Sequence, residues 1–328
     1  MLVFICNEIV AYIKGKGLQP WYLGEVKYPC GIDFLRPRDF YFQTFLPESE
    51  FAGRFPEVLG IYILTKTEKP PCTQIEKTWP KGTWPVSAAL DAAVYFSEDI
   101  LWNDEIGGSL ESQIKARGYT CSTVQDNGYK IKVSGTKEIA VMQQTFRVGY
   151  ISCMGTVNMH DETVDISVGF PIDGAVITTS CEGIAIDYKG SWVEKLPYVC
   201  MHPTQYGTDY EIAKQEVTFT CEFHGMSKAT VDKEGKTISF SQFQTNPVVT
   251  ADQPAKTFFQ LDFEMVQENI LQAAKQALVK EIGDLRLQLC SMPVFAVSNL
   301  LFPEQQTMTP EDVYIPRDLV MTGNIMEE

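Results

Sequence analysis

Residues 263–289, FEMVQENILQAAKQALVKEIGDLRLQL, decide the fold. Val266, Ile270, Ala273, Ala277, Ile282, Leu285 and Leu289 recur at steps that average close to the 3.6-residue helical period, so one stripe is apolar throughout. Asp262, Glu264, Glu268, Lys275, Lys280, Glu281, Asp284 and Arg286 carry charge on the other faces. The spacing predicts a single amphipathic helix from Phe263 to Leu289, roughly 40 Å long at 1.5 Å per residue. Such a rod needs a long apolar surface to lie on, and an extended sheet supplies one.

The flanking sequence reads as that sheet. Between Tyr119 and Phe259 the clearest strand-like runs are Tyr129–Val133, Glu138–Cys153, Thr156–Phe170, Ala175–Ile186 and Val217–Phe223. Val164, Ile166 and Val168 alternate with Asp165, Ser167 and Gly169, which marks a sheet with one wet face. Several runs exceed the usual length of about five or six residues and predict a bent or coiled sheet. Asp232-Lys233-Glu234-Gly235, between Ala229–Val231 and Ile238–Phe240, reads as a hairpin turn.

Upstream, Ala88, Leu90, Ala92, Val94 and Phe96 share one face of a half-buried strand. Ser97 then offers an N-cap hydroxyl to a shorter helix over residues 97–117, kinked at Gly107-Gly108 and ended by Gly118. Residues 1–85 read as an irregular N-terminal segment with short strands and a Pro/Trp-rich connector. That segment packs on a main domain over 86–328, where the tail from Met292 returns to short strands. The residues alone predict an α+β fold, a long bent antiparallel sheet with a long C-terminal helix on it.

A chain of 328 residues can bury a large core, and 45% apolar with 21% charged residues is globular rather than disordered composition. The net charge of −15 repels a phosphate backbone and no Lys/Arg cluster overrules it, so no nucleic-acid partner is expected. Strong attraction to an anionic membrane is disfavoured for the same reason. No apolar run reaches the roughly 18–20 residues of a membrane-spanning helix. Met1–Cys6 is too short for a signal-peptide core and is broken by Asn7 and Glu8. The expectation is a soluble protein, cytoplasmic or released without a recognisable signal peptide.

Nine cysteines, an odd number without a Cys-x-x-Cys pair, exclude zinc knuckles and thioredoxin-like redox pairs as sequence readings. Cys153 and Cys221 fall in strand-like runs and read as free, buried thiols of a reducing compartment. Catalytic signatures are missing from the sequence. There is no Gly-x-Ser-x-Gly elbow, phosphate loop or dinucleotide fingerprint. His160-Asp161-Glu162 would alternate faces on a strand, so it makes a poor metal corner and reads as a hairpin tip. His224 reads as a solvated residue at the end of a strand, and His202 as a loop residue with no carboxylate near it in sequence. No catalytic residue, metal or cofactor is expected; a β-rich hydrolase using Asp161 or Glu162 stands as the enzymatic alternative. Trp79, Trp84, Trp102 and Trp192, with Tyr188 and Tyr198, staple loops to the core or form a binding platform.

The order of elements, together with Ala92–Trp102 (AAVYFSEDILW), Ser109-Leu110, Asn299–Pro303 (NLLFP) and Val313–Leu319 (VYIPRDL), resembles the tubular lipid-binding (TULIP) superfamily, and within it the clostridial neurotoxin accessory proteins. The resemblance covers residues 86–325. It implies that the long antiparallel sheet is strongly curved and wrapped around the long C-terminal helix, enclosing an elongated apolar groove that holds lipid or a lipid-like hydrophobic ligand. It also implies a protein partner in a toxin complex, or a toxin. The groove candidates are Val266, Ile270, Ala273, Ala274, Ala277, Leu278, Ile282 and Leu285. Alanines 273, 274 and 277 have two readings: they leave room for a ligand, or they let the sheet approach a filled interior. In the second reading the protein is a structural or interaction component of a larger complex.

Overall fold

The computed structural model describes residues 39–45, 58–64, 89–90, 92–100, 102, 106–126, 128–180, 182–232, 237–257, 260–261, 264–289, 291–293, 308–315 and 318–325. β1 (Asp39–Phe45) and β2 (Val58–Leu64) form an antiparallel pair. β3 (Ala92–Phe96) leads into a single helical turn at Glu98–Ile100 and then helix α1 (Gly107–Ala116). A run of strands follows: β4 (Thr120–Gln125), β5 (Tyr129–Ser134), β6 (Thr136–Ser152), β7 (Val157–Pro171), β8 (Ala175–Ser180), β9 (Gly183–Thr204) and β10 (Gly207–Asp232). Shorter strands β11 (Thr237–Phe240), β12 (Gln244–Thr245) and β13 (Val248–Asp252) precede helix α2 (Glu268–Gly283). β14 (Met292–Pro293), β15 (Met308–Tyr314) and β16 (Leu319–Ile325) complete the described elements.

Strands β4 to β14 form one curved antiparallel sheet, and β15-β16-β3 form a separate three-stranded one. The spine of the large sheet is β10, 26 residues long, or roughly 85 Å at about 3.3 Å per residue. β9 pairs with it without interruption from Gly183↔Lys228 to the two-residue turn at Gln205-Tyr206. Along its other edge β10 is bonded in relay to β6, β13, β12 and β11. Strands of this length do not stay flat, because each carries a right-handed twist, and a bulge in β6 between Ala140 and Met142 adds to the bend.

Alternation along β10 separates the two faces. Val217, Phe219, Cys221, Phe223, Ser227 and Ala229 are buried, whereas Thr218, Glu222, His224 and Lys228 are exposed. The outer face carries side-chain pairs: His202 with Glu211 at 2.7 Å, Lys189 with Glu222 at 2.8 Å, His224 with Asp187 at 2.7 Å and Lys228 with Glu182 at 2.8 Å. The strand positions correct three histidine assignments. His202 lies in β9 beside Glu211, His224 lies inside β10, and His160 to Glu162 lie within β7 rather than at a hairpin tip. Register across the β9–β10 hairpin, invisible in linear spacing, brings Glu211 to His202 and Asp187 to His224. Likewise Ala175–Ile186 is two strands, β8 and β9, that double back on each other.

Helix α2 is a correction to the predicted rod. It has 16 residues, Glu268–Gly283, about 24 Å in length. Gln267 before it is extended, with φ −66° and ψ 143°. After Gly283 the periodicity changes from helical to twofold: Leu285 and Leu287 are buried, Arg286 and Gln288 exposed. That alternation is not helical, and the Leu287 N–H closes a tight turn on the Leu285 carbonyl at 2.8 Å. Gln113 on α1 clamps this extension, its Nε2 donating to the Gln288 carbonyl (2.7 Å) and its Oε1 accepting the Gln288 N–H (2.8 Å). The Arg117 guanidinium donates to the Asp284 and Arg286 carbonyls.

The first helix differs too. Trp102 and Ile106 are π-helical and Ile106 runs into α1 at Gly107-Gly108, so the helix type changes at the pair of glycines where the kink was expected. Trp102 is 1% exposed and stacked on Tyr129 with ring centroids 6.5 Å apart, so it staples this region to β5. Trp79, Trp84 and the Asn299–Pro303 motif lie outside the described residues, as does most of the expected N-terminal segment. No described helix is long and apolar enough to cross a membrane.

Candidate functional site

The large sheet forks at Gly149. This residue pairs with Met159 of β7 on one side and with Tyr210 of β10 on the other. From there back toward Thr136, β6 stays bonded to β7 alone, while β10 continues with β9. Gly149 has φ +133°, and a Cβ on it would meet the Asn158 carbonyl oxygen at 2.1 Å. Only glycine fits a close approach of that kind in that conformation.

Helix α2 packs in the fork, against β6 and β7 on one side and β12 and β13 on the other. Val266 N–H donates to Gln215 Oε1 at 3.4 Å, Gln253 Nε2 donates to the Val266 carbonyl at 3.3 Å, and Asn269 Nδ2 donates to Gln144 Oε1 at 3.2 Å. The far end of the helix is fastened by Glu281, which pairs with Lys137 at 2.7 Å and accepts the Tyr119 hydroxyl at 3.3 Å. Burial, reinforced by the Glu281 charge, pushes the Tyr119 phenol well above its ordinary range. The Glu281 end of the seam is therefore tied shut by charge and hydrogen bonds.

The other end is open. A cleft of about 400 Å³ lies where β6 diverges from β10, lined by Thr145, Phe146, Arg147, Met159, Val199, Tyr210 and Gln267. Phe146 and Val199 form buried wall, and Arg147 at the rim is paired with Asp161 at 3.0 Å. Gln267, the N-cap of α2, makes no side-chain capping bond.

The expected groove residues divide into two sets. Val266, Ile270, Ala274, Leu278, Ile282 and Leu285 are between 0% and 5% exposed and belong to the hydrophobic core. Ala273 and Ala277 are half-buried on the flank of the stripe. Leu271, absent from the expected set, is buried with them. The cleft residues Phe146, Met159, Val199 and Tyr210 were not anticipated. The signal for them was the glycine at 149 inside a strongly strand-like run, which marks a place where strands part.

Between β7, β9 and β10 the interior is filled by a row of rings. Tyr188 stacks on Phe223 (5.3 Å) and Trp192 on Phe219 (5.8 Å), with Phe170 edge-on to Tyr188 and Trp192. Tyr188 and Trp192 thus serve as core, not as an exposed platform. Cys221 lies in the same core, where burial pushes its thiol up to about 12. Cys153, expected to be buried, is exposed in the β6–β7 turn. No group of three or more metal-ligating side chains occurs among the described residues.

No family profile matches the chain, and no curated protein matches it. Among solved structures, the chain is similar to P47 of Clostridium botulinum E1, with 12% identity and a TM-score of 0.47 over 98% of this chain and 68% of that one. It is also similar to a lipopolysaccharide binding protein, with 10% identity and a TM-score of 0.18 over 72% of this chain and 50% of the other. Both likenesses are loose.

Proposed function

We propose that this chain is a non-enzymatic protein that binds a lipid or lipid-like hydrophobic ligand at the fork beside α2. The observation that carries this reading is the cleft of about 400 Å³ that ends on the first turn of the helix. Its volume falls in the range of about 300–1,000 Å³ for small-ligand sites, and its walls include Phe146, Met159, Val199 and Tyr210. Each methylene moved from water onto such walls contributes about 0.8 kcal/mol, so an acyl chain binds without a base or a metal. A chain longer than the cleft must displace the Gln267 end of α2, and it then meets Val266, Ile270 and Ala274. That end is held by uncharged hydrogen bonds with Gln215, Gln253 and Gln144, whereas the Glu281 end is tied by an ion pair. The proposed tubular sleeve around α2 is this fork, shorter than a 27-residue helix would have made it. A role beside a toxin is part of this reading and rests on the sequence motifs alone.

Native mass spectrometry of the purified protein, before and after incubation with a long-chain phospholipid, tests the reading. The expected result is a lipid adduct that is lost when Met159→Trp fills the cleft. A wild-type protein that neither co-purifies with nor takes up lipid sinks it. A second reading, an interaction protein with a filled core, is favoured by the exposure of 5% or less along the α2 stripe. It predicts no adduct and a stable assembly with another protein by light scattering.

A further inference from the structure

The β6–β7 and β9–β10 hairpins end side by side at one apex. Cys153 N–H donates to the Tyr206 carbonyl at 2.8 Å, the Tyr150 hydroxyl donates to the same oxygen at 2.6 Å, and Ser152 pairs with Gly207. At this apex Met154 is 97% exposed, Tyr206 71% and Val157 62%. Met154 and Tyr206 are the two most exposed large apolar or aromatic side chains among the described residues.

The apex is also without carboxylates, lysines or arginines. The β6–β7 end, Val148–His160, and the β9–β10 end, Pro203–Thr208, contain no Asp, Glu, Lys or Arg in a chain that is 21% charged, and the first charges on β10 are Asp209 and Glu211, opposite His202 and Cys200. Its turn backbone is largely satisfied from within. Ser152 N–H donates to the Thr156 carbonyl (2.8 Å), Gly155 N–H to the Ser152 carbonyl (3.0 Å) and Thr156 N–H to Ser152 Oγ (2.9 Å). Polar groups paired in this way cost little to remove from water.

We propose that this apex is a membrane-contact surface, which dips Met154, Val157 and Tyr206 into the interfacial layer of a neutral, zwitterionic bilayer. An anionic surface does not fit, because the chain carries −15 and the apex offers no lysine or arginine to offset it. A protein partner fits less well than a bilayer: three protruding side chains fall far short of the roughly 20–30 residues a side in a stable interface. Tyrosine with methionine on a charge-free tip suits the layer where headgroups meet acyl chains. The cleft opens immediately inboard, since Met159 and Tyr210 both pair with Gly149. A docked apex therefore sets the cleft mouth at the lipid surface. That use in loading rests on the lipid-binding reading above; the contact itself does not.

Flotation of the full chain with phosphatidylcholine vesicles tests the contact. The wild type is expected to float. A folded Met154→Asp/Tyr206→Asp double variant should lose about tenfold or more of its bound fraction, because both side chains then stay in water. Val193→Asp and Val248→Asp, at sites 55% and 65% exposed away from the apex, should float like the wild type. Thermal melts check folding, and Met154→Ser/Tyr206→Ser replaces the aspartates if the first pair does not fold. A wild type that stays at the bottom overturns the proposal, as does equal flotation of the apex variants. Self-association abolished by the apex substitutions, without flotation, overturns it in favour of a second copy. Flotation without any adduct in mass spectrometry removes the carrier reading and leaves the contact standing.

Discussion

Glu194 shares the inward face of β9 with Trp192 and Leu196, and its Oε1 accepts the Gly169 N–H of β7 at 3.1 Å. Burial pushes its carboxyl above the ordinary carboxylate range; the Gly169 amide pulls it back, and the nearby Glu138 raises it again. The folded chain thus holds this proton more tightly than the unfolded one. That favourable contribution is complete below the unfolded value of 4.5 and is lost as pH climbs through the raised folded value. At neutral pH the ionised group opposes folding. Glu194→Gln keeps an oxygen for the Gly169 amide and removes the charge. Its melting temperature should exceed that of the wild type at about pH 7, with the difference disappearing below about pH 4. Equal melting temperatures at neutral pH would show that the Gly169 bond offsets burial, and a lower one for the variant that it outweighs burial.

At the scale of elements, α2 shows what could be read from the chain and what could not. Its stripe was legible in part: Val266, Ile270 and Ile282 are buried as expected, but the buried row runs between them through Ala274 and Leu278, with Ala273 and Ala277 on its flank. Its end was misread by fitting one period across Gly283, although Leu285, Leu287 and Leu289 already alternate. The long strands β6 and β7 were legible almost to their ends, since alternation is a local signal. β10 was recognised for only ten of its 26 residues, Val217–Phe223 and Ala229–Val231. Its first half carries Asp209, Glu211, Lys214 and Glu216, and their strand character comes from pairing with β9 rather than from their own pattern. The fork was illegible because it depends on which strand leaves which.

Gly283 separates two explanations of the helix end. It lies in helical conformation with open space where a Cβ would sit. Gly283→Ala should therefore raise stability by about 0.5–1 kcal/mol, read from denaturant midpoints. Far-UV circular dichroism should show no longer helix, because Leu285 and Leu287 are buried and the Gln113 and Arg117 side chains bind the backbone of residues 284–288. A gain of several helical residues would mean that the glycine, not the change of period, stops the helix.

For the whole molecule, contacts divide sharply by distance along the chain. The β9–β10 pair zips outward from Gln205-Tyr206, and β6–β7 from the turn at residues 153–156. By contrast, β3 finds β16 only across most of the chain: Val94 pairs with Met321, and Glu98 N–H donates to Asp318 Oδ1 over 220 residues of separation. Local pairings close loops at small entropic cost, and distant ones wait. Pulsed hydrogen exchange during refolding should protect the amides of Val217–Phe223 before those of Val320–Thr322. Simultaneous protection would mean that the two sheets fold as one unit. The same separation bears on synthesis. At roughly 5–20 residues per second, a ribosome that has delivered β3 works for about ten to forty seconds before the neighbour of that strand emerges. Throughout that interval the nascent chain presents a greasy, unmatched strand to the cell, which makes translation the stage at which this protein most needs a chaperone's shelter.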